Sequence, residues 1–349
     1  MSRKGNINYK YLRRRKNWFM RNIPLIIFWV VAVLVIAAGI TVGVLFANGT
    51  FSIGKGGGTP DKKEEQTTAQ VQTEEETRDV VWIDDVEEEL EKVTYTPPAD
   101  AEFPYFIKVN RALNCVTVYG MDDKKEYTIP VKAFVCSGGA EGYEIFLADK
   151  IPTIEYSEWK QTMEGGYGNY VIGISGDFKF QSVPFTEAAH DTLQTEEFNK
   201  LGESVSRGCI RMCVRDVKWI YDNCKAGTQV TIYDDATNPG PLGKPEKIKI
   251  PVDSANAKWD PTDPNPANPW LAYGADIKGA VDITTKLGEK VDLLKGVTAT
   301  DTCGNDITPK IITIGHYTFD KEGTYDIKYK VTDVLGSTKE VTMKLTVTK

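Results

Sequence analysis

Pro24 to Ala47 is an apolar run interrupted only by Thr41. About 20 such residues span a bilayer as a helix. The 23 residues before it carry Arg3, Lys4, Lys10, Arg13, Arg14, Arg15, Lys16 and Arg21 and no acid. Trp18, Phe19 and Trp29 suit a membrane interface. The pattern predicts a cytoplasmic basic tail over 1–23 and a single-pass anchor over 24–47, with everything after it outside the membrane. The alternative is a cleaved signal peptide, for which Phe46-Ala47-Asn48-Gly49 offers a weak cleavage site.

The rest divides by composition. Residues 48–102 read as an acidic linker. It holds Gly56-Gly57-Gly58-Thr59-Pro60, a Glu/Gln/Thr stretch, and a candidate short helix from Val80 to Val93. As a flexible coil, about 50 residues reach on the order of 40 Å. Pro261, Pro264, Pro266 and Pro269 break regular structure, so 236–269 reads as a second linker. This division predicts that a catalytic domain ending near Asp235 survives removal of the residues after Pro239. From 270 to 349, short apolar-polar alternations such as Tyr325 to Val331 are separated by turn signals at Asp301 to Asp306 and Asp333 to Ser337. They predict a β-sandwich. The net charge of −7 argues against non-specific nucleic-acid binding.

Ser206-Arg207-Gly208-Cys209-Ile210-Arg211-Met212 carries the chemistry. A cysteine after a glycine, at a predicted junction with a helix from Val214 to Cys224, gains thiolate character from the helix terminus and from Arg207, Arg211 and Arg215. Gly208 lets the backbone pass close to a bound acyl group. Cys115, Cys136, Cys213, Cys224 and Cys303 read as small buried hydrophobes. Cys209, Cys213 and Cys224 are spaced too irregularly for a zinc site, and no metal is expected.

The segment from about Phe103 to Asp235 resembles the L,D-transpeptidase catalytic domain of the YkuD type. The resemblance lies in Phe106 to Asn110, Cys115 to Tyr119, Phe134 to Gly139, Gly168 to Ile174, Phe178 to Phe185, the Ser206 to Arg211 run and Gly227 to Ile232. The stretches Val297 to Asp301 and Gly323 to Tyr329 resemble bacterial immunoglobulin-like surface modules. The implied fold class is mainly β: a YkuD-type sandwich over 103–235, then an immunoglobulin-like sandwich over 270–349.

The implied function is peptidoglycan L,D-transpeptidation on stem peptides. Cys209 is the nucleophile and forms a thioester, with no cofactor; an L,D-carboxypeptidase results if water replaces the acceptor amine. Ser206, Arg207, Gly208, Arg211 and Tyr170 are candidate substrate-binding residues, and Trp159 is a further aromatic for the cleft. The implied partners are the stem peptides and the cell membrane, and a wall or carbohydrate ligand of the C-terminal domain stays open. The implied location is the outer face of the membrane, toward the wall.

The family pattern is a histidine, a spacer, then Ser/Thr-x-Gly-Cys. Relatives reading Phe-His-Ser-Val-Pro-Phe carry that histidine where this chain has Gln181, and an amide cannot act as a base. His190 lies fifteen residues before Ser206 and satisfies the formal spacing. It falls, however, in a polar stretch, Glu187 to Phe198, that reads as helix. Two further readings therefore stay open: a degenerate scaffold that binds wall peptide, and an adhesion protein whose active part is the C-terminal domain.

Overall fold

The computed structural model describes residues 95–162 and 165–349. The predicted basic tail, the membrane anchor and the linker up to residue 94, with its short helix, lie outside them. Among the described residues no helix is long and apolar enough to cross a membrane.

The first sandwich is mainly β. One sheet has the order β3-β2-β1-β9-β4, from Tyr127–Val135, Cys115–Met121, Tyr105–Asn110, Gln229–Tyr233 and Ala148–Pro152. The second has the order β5-β6-β7-β8, from Tyr156–Gln161, Tyr167–Ser175, Phe178–Ser182 and Ile210–Met212. Strand alternation builds the core between them. In β1, Ile107 and Val109 point inward, while Phe106 stacks on Tyr127 at 5.4 Å on the outer face. From the second sheet Ile172, Ile174, Phe180, Ile210 and Met212 meet them. Part of the segment read as linker belongs to this sandwich. The Tyr95 ring packs edge-on against Tyr105 at 5.6 Å, and its hydroxyl accepts from the Met121 amide at 2.9 Å.

Two α-helices are described. α1 is a single turn, Thr195–Phe198, and α2 runs Val214–Asn223. The helix expected over Glu187 to Phe198 shrinks to α1. The preceding residues are held as an irregular loop, with Thr186 donating to Thr192 O at 2.9 Å and Leu193 to Lys258 O at 2.9 Å.

The segment 236–269 has no long element, yet it is packed rather than free. Ile248, Ile250, Ala257 and Trp270 are buried with Val183, Phe185, Leu193, Phe198, Leu201 and Val214 in a second core outside the four-stranded sheet. Its polar groups are fastened to the first sandwich. Asn199 exchanges two hydrogen bonds with Ile250, and the Thr195 hydroxyl donates to Ala257 O at 2.6 Å. The first amides of α2 are satisfied from here as well: Asp260 Oδ2 accepts from Val214 N at 2.7 Å, and Thr262 Oγ1 from Arg215 N at 3.0 Å. A helix start leaves its first amides without intrahelical partners, so this segment completes α2. The prolines fix extended and turn conformations and remove donors, which prevents strands without preventing burial.

The last sandwich pairs β10 (Asp276–Lys278) with β12 (Thr298–Thr300), and a second sheet has the order β11-β15-β14-β13, from Ile283–Lys286, Thr338–Thr348, Gly323–Thr332 and Ile312–Ile314. Tyr329, Leu345, Val331 and Ile327 fill its core. Cys303, Val334 and Leu335 of this sandwich pack into the second core, and Asn305 Nδ2 donates to Lys249 O at 2.9 Å. Leu293 and Leu294 lie in a turn, with Leu293 buried.

Two outcomes follow from this packing. A chain ending after Pro239 exposes the second core and loses the α2 cap, so it should fail to unfold cooperatively in a thermal melt. In the full chain, Trp270→Ala should cost about 3–5 kcal/mol in denaturant unfolding. Asp260 gives a pH signature. Burial pushes its carboxyl up to about 6, against the hydrogen bonds from Thr262 and Val214. The folded chain therefore holds a proton that the unfolded chain releases from about pH 4 upward, and this group's contribution to stability falls as pH rises from about 4 to about 6. Asp260→Asn should gain melting temperature relative to the parent across that window, as thermal unfolding at its two ends will report.

Candidate active site

Cys209 sits on a turn that small residues make possible. The buried Ser206 hydroxyl accepts from Gly208 N at 3.1 Å and donates to Cys209 O at 2.6 Å. Gly208 has φ +108°, and a Cβ there would lie 2.7 Å from Cε1 of the Phe178 ring. Both constraints call for glycine. The Ser137-Gly138-Gly139 run closes around the same turn. Ser206 and Val205 donate to Gly138 O, Ala140 N donates to Ser206 O at 2.8 Å, and Ser137 exchanges backbone hydrogen bonds with Arg211 at 2.8 and 2.9 Å. Gly139 has no space for a side chain, since its Cβ would meet Tyr143 O at 1.9 Å.

Cys209 precedes a strand rather than a helix. β8 runs parallel to β7 with the pairs Phe180↔Ile210, Gln181↔Arg211 and Ser182↔Met212. The α2 N-cap is Cys213. A helix dipole acts within about its first turn, so its positive end serves Cys213 and not Cys209. The pairing with β7 overrides the helix-junction reading. Cys115, Cys136, Cys213, Cys224 and Cys303 are buried, and burial raises each thiol above the ordinary range, Cys224 and Cys303 to about 12. Cys209 is partly exposed.

The candidate binding residues divide. Ser206 and Gly208 build the turn. Arg207 is exposed, with its guanidinium over the Tyr143 ring at 5.9 Å. Arg211 is buried at 2 % exposure and pairs with Glu197 of α1 at 2.7 Å, which ties β8 to that helix. Burial raises the Glu197 carboxyl, but its bonds to Lys200 and Arg211 together hold it below the usual range. Tyr170 packs on α2, edge-on to Tyr221 at 5.3 Å, with Lys218 over its ring at 5.0 Å. Trp159 packs on Phe185 in the second core.

Gln181 is buried in register with Arg211. A Cβ on Gly168 would lie 3.0 Å from its side chain. His190 lies elsewhere. Its Nδ1 bonds the buried Asp263 carboxylate at 2.6 Å, and its ring lies edge-on to Trp159 and nearly parallel to Trp259. The loop holding Asp263 attaches to the start of α2, at the Cys213 end of β8. Four residues of extended chain separate Cys213 from Cys209, roughly 13 Å at about 3.3 Å each. The partners of His190 are Asp263, Trp159 and Trp259, at the end of β8 that leads into α2.

Sequence reasoning missed the contact of Tyr143 with the turn and the place of Lys179 on β7. Tyr143 borders the turn through its carbonyl and ring, in a loop that exposes Phe146 and Leu147. Lys179 precedes Phe180 on β7. The alternation of Phe178-Lys179-Phe180-Gln181 signals that Lys179 and Gln181 share a face, but no signal in the chain gives the register with β8.

The fold and site define a β-sandwich domain with one accessible cysteine on a glycine turn, joined to an immunoglobulin-like sandwich. Residues 104–232 match the profile of the L,D-transpeptidase catalytic domain (YkuD), and residues 275–347 match that of the bacterial surface protein Ig-like domain. The chain therefore contains a YkuD-type L,D-transpeptidase catalytic domain and a bacterial Ig-like domain. YciB of Bacillus subtilis (strain 168), described provisionally as an L,D-transpeptidase, is 44% identical over 57 residues, 16% of this chain and 28% of its own. The chain thus spans little over a quarter of that relative. An L,D-transpeptidase from Mycobacterium smegmatis is 12% identical over 38% of this chain and 59% of its own, with a TM-score of 0.30. The structure of CBM51-2 in complex with GlcNAc and INT domains, from Clostridium perfringens ZmpB, is 36% identical over 22% of this chain and 17% of its own, with a TM-score of 0.20.

The placement of His190 makes a prediction. His190→Ala should cost about 1–3 kcal/mol in unfolding, because Asp263 loses its partner. Cys209 should meanwhile keep the parent rate of alkylation by iodoacetamide, read by mass spectrometry.

Proposed function

We propose that this protein is a peptidoglycan L,D-transpeptidase that works through a thioester on Cys209. The observation that carries the reading is the selective exposure of Cys209, on a turn built by Ser206 and Gly208, while the other cysteines are buried. The Cys209 thiolate attacks the carbonyl of an L,D bond in a stem peptide. The terminal D-amino acid leaves, and an amine of a second stem takes the acyl group. Water as acceptor makes the same site a carboxypeptidase. The Cys209 backbone amide is the donor for the oxyanion, the Gly208 amide being bonded to Ser206 Oγ. Arg207, over Tyr143 at the rim, suits a stem carboxylate. The apolar run Pro24–Ala47 tethers the domain to the membrane, and the acidic linker carries it toward the wall.

One observation favours a second reading. His190 is bonded to Asp263, and Gln181, which the resemblance puts at the family's histidine position, cannot act as a base. A wall-peptide binder that turns nothing over accounts for that loss.

Mass spectrometry of the full-length protein after exposure to a carbapenem separates the two. An adduct on Cys209, absent from Cys209→Ala, is the expected result. No adduct, on a thiol that still reacts with iodoacetamide, gives the binder.

A further inference from the structure

Cys209 chemistry needs a group that gives a proton to the leaving amine and takes one from the incoming amine. Gln181 does not titrate, and Arg207 and Arg211 do not release a proton. His190 is held at the other end of β8, and His316 lies in the Ig-like sandwich.

The pairing of β7 with β8 supplies a candidate. Phe180, Ile210 and Met212 face the first core, so Gln181 and Arg211 face the other way. Continued one residue past the end of the ladder, the same register places Lys179 level with Cys209. The side-by-side course continues past the ladder, because the Phe178 ring abuts Gly208 one step further back. Neighbouring strands run about 4.8 Å apart, well within the reach of a lysine side chain. Lys179 is half-buried, as Cys209 is. Within β7 and β8 it is the only side chain that carries a proton at neutral pH and can give it up.

We propose that Lys179 is the proton carrier of Cys209, an inference that rests on the acyl-transfer reading above. The ammonium pairs with the thiolate in the resting site. The sulfur attacks the acyl carbon, the C–N bond breaks, and the leaving nitrogen takes a proton from Lys179. A thioester and a neutral lysine amine remain. The acceptor amine then attacks the thioester carbon and passes a proton to Lys179, and the C–S bond breaks to return the thiolate. One amide is exchanged for another with no net proton. The other charged groups on neighbouring elements are Glu155, just before β5 and bonded to Lys160 of that strand, Asp177 before β7, Arg207 and Arg211 on either side of Cys209 in the chain, and Glu144 in the loop with Tyr143. The Glu155 carboxyl is held below its usual range mainly by Lys160, with a lesser contribution from Lys179.

The test is the pH dependence of iodoacetamide alkylation at Cys209 in the full-length protein, followed by mass spectrometry, together with turnover of a stem peptide. The parent should alkylate with a midpoint about one pH unit or more below an ordinary thiol. Lys179→Met should move that midpoint up by about one unit or more. Lys179→Arg should keep the low midpoint and slow turnover by about 100-fold or more, since a guanidinium holds its proton. The Arg variant keeps charge and length, so it answers the question even where the Met variant folds poorly. A midpoint that does not move in Lys179→Met, or full turnover in Lys179→Arg, overturns the inference. A moved midpoint in a protein that turns over no stem peptide sinks the acyl-transfer reading instead and leaves the pairing of Lys179 with Cys209.

Discussion

Three residues, Ile210-Arg211-Met212, hold the site together because they are bonded on both edges. On one edge β8 runs parallel to β7; on the other, Ser137 bridges Arg211 in the antiparallel sense. Such a short strand has little stability alone. It is fixed by what its faces bury: Ile210 and Met212 enter the first core, and the Arg211 guanidinium is buried against Glu197. Breaking a buried ion pair from one side leaves an uncompensated charge, so Arg211 commits β8 to a single position relative to α1. The Cys209 turn inherits that position, since it is the chain leading into β8.

The second core extends the same dependence to distant sequence. Trp270 and Ile250 pack on Phe185 and Phe198, and Asp260 satisfies the first amide of α2. The end of β8, the start of α2 and the His190 loop are thus braced by residues beyond the end of the YkuD match at 232. Because Val334 and Leu335 enter the same core, the Ig-like sandwich is packed onto this brace rather than strung from a free tether.

The legible parts of the chain were those where a local pattern and the tertiary structure agree. The segments that carry the family resemblance fall in β1, β2 and β6, the apolar-polar alternation from Tyr325 falls in β14, and the Ser206 to Met212 run marks the turn with its glycine and its one partly exposed cysteine. The failures came where tertiary contacts override local preference. Glu187 to Gln194 has helix-forming residues, but its backbone is bonded across to Thr192 and Lys258, so only α1 remains. The prolines of 236–269 signal the absence of strands, and that was read as the absence of packing. Ile248, Ile250, Trp259 and Trp270 were the contrary signal: a solvated spacer has no use for them. His190 met the spacing of a base because sequence distance says nothing about which end of a strand a loop returns to.

The parallel register of β7 with β8 also bears on which side chains can serve the site. Residues 179 and 181 share a face, about 7 Å apart along one strand. Residue 181 lies level with Arg211, and 179 lies one residue before the Phe180↔Ile210 pair. On the proposal above, a long, flexible ammonium at 179 reaches the sulfur where a short, flat imidazole at that position would not. Gln181, neutral and buried beside Arg211 and Gly168, then serves as packing and adds no charge beside the buried Arg211. Sliding the titrating group two residues along the strand preserves the face and changes the reach. Moving it to a loop, as at His190, preserves neither.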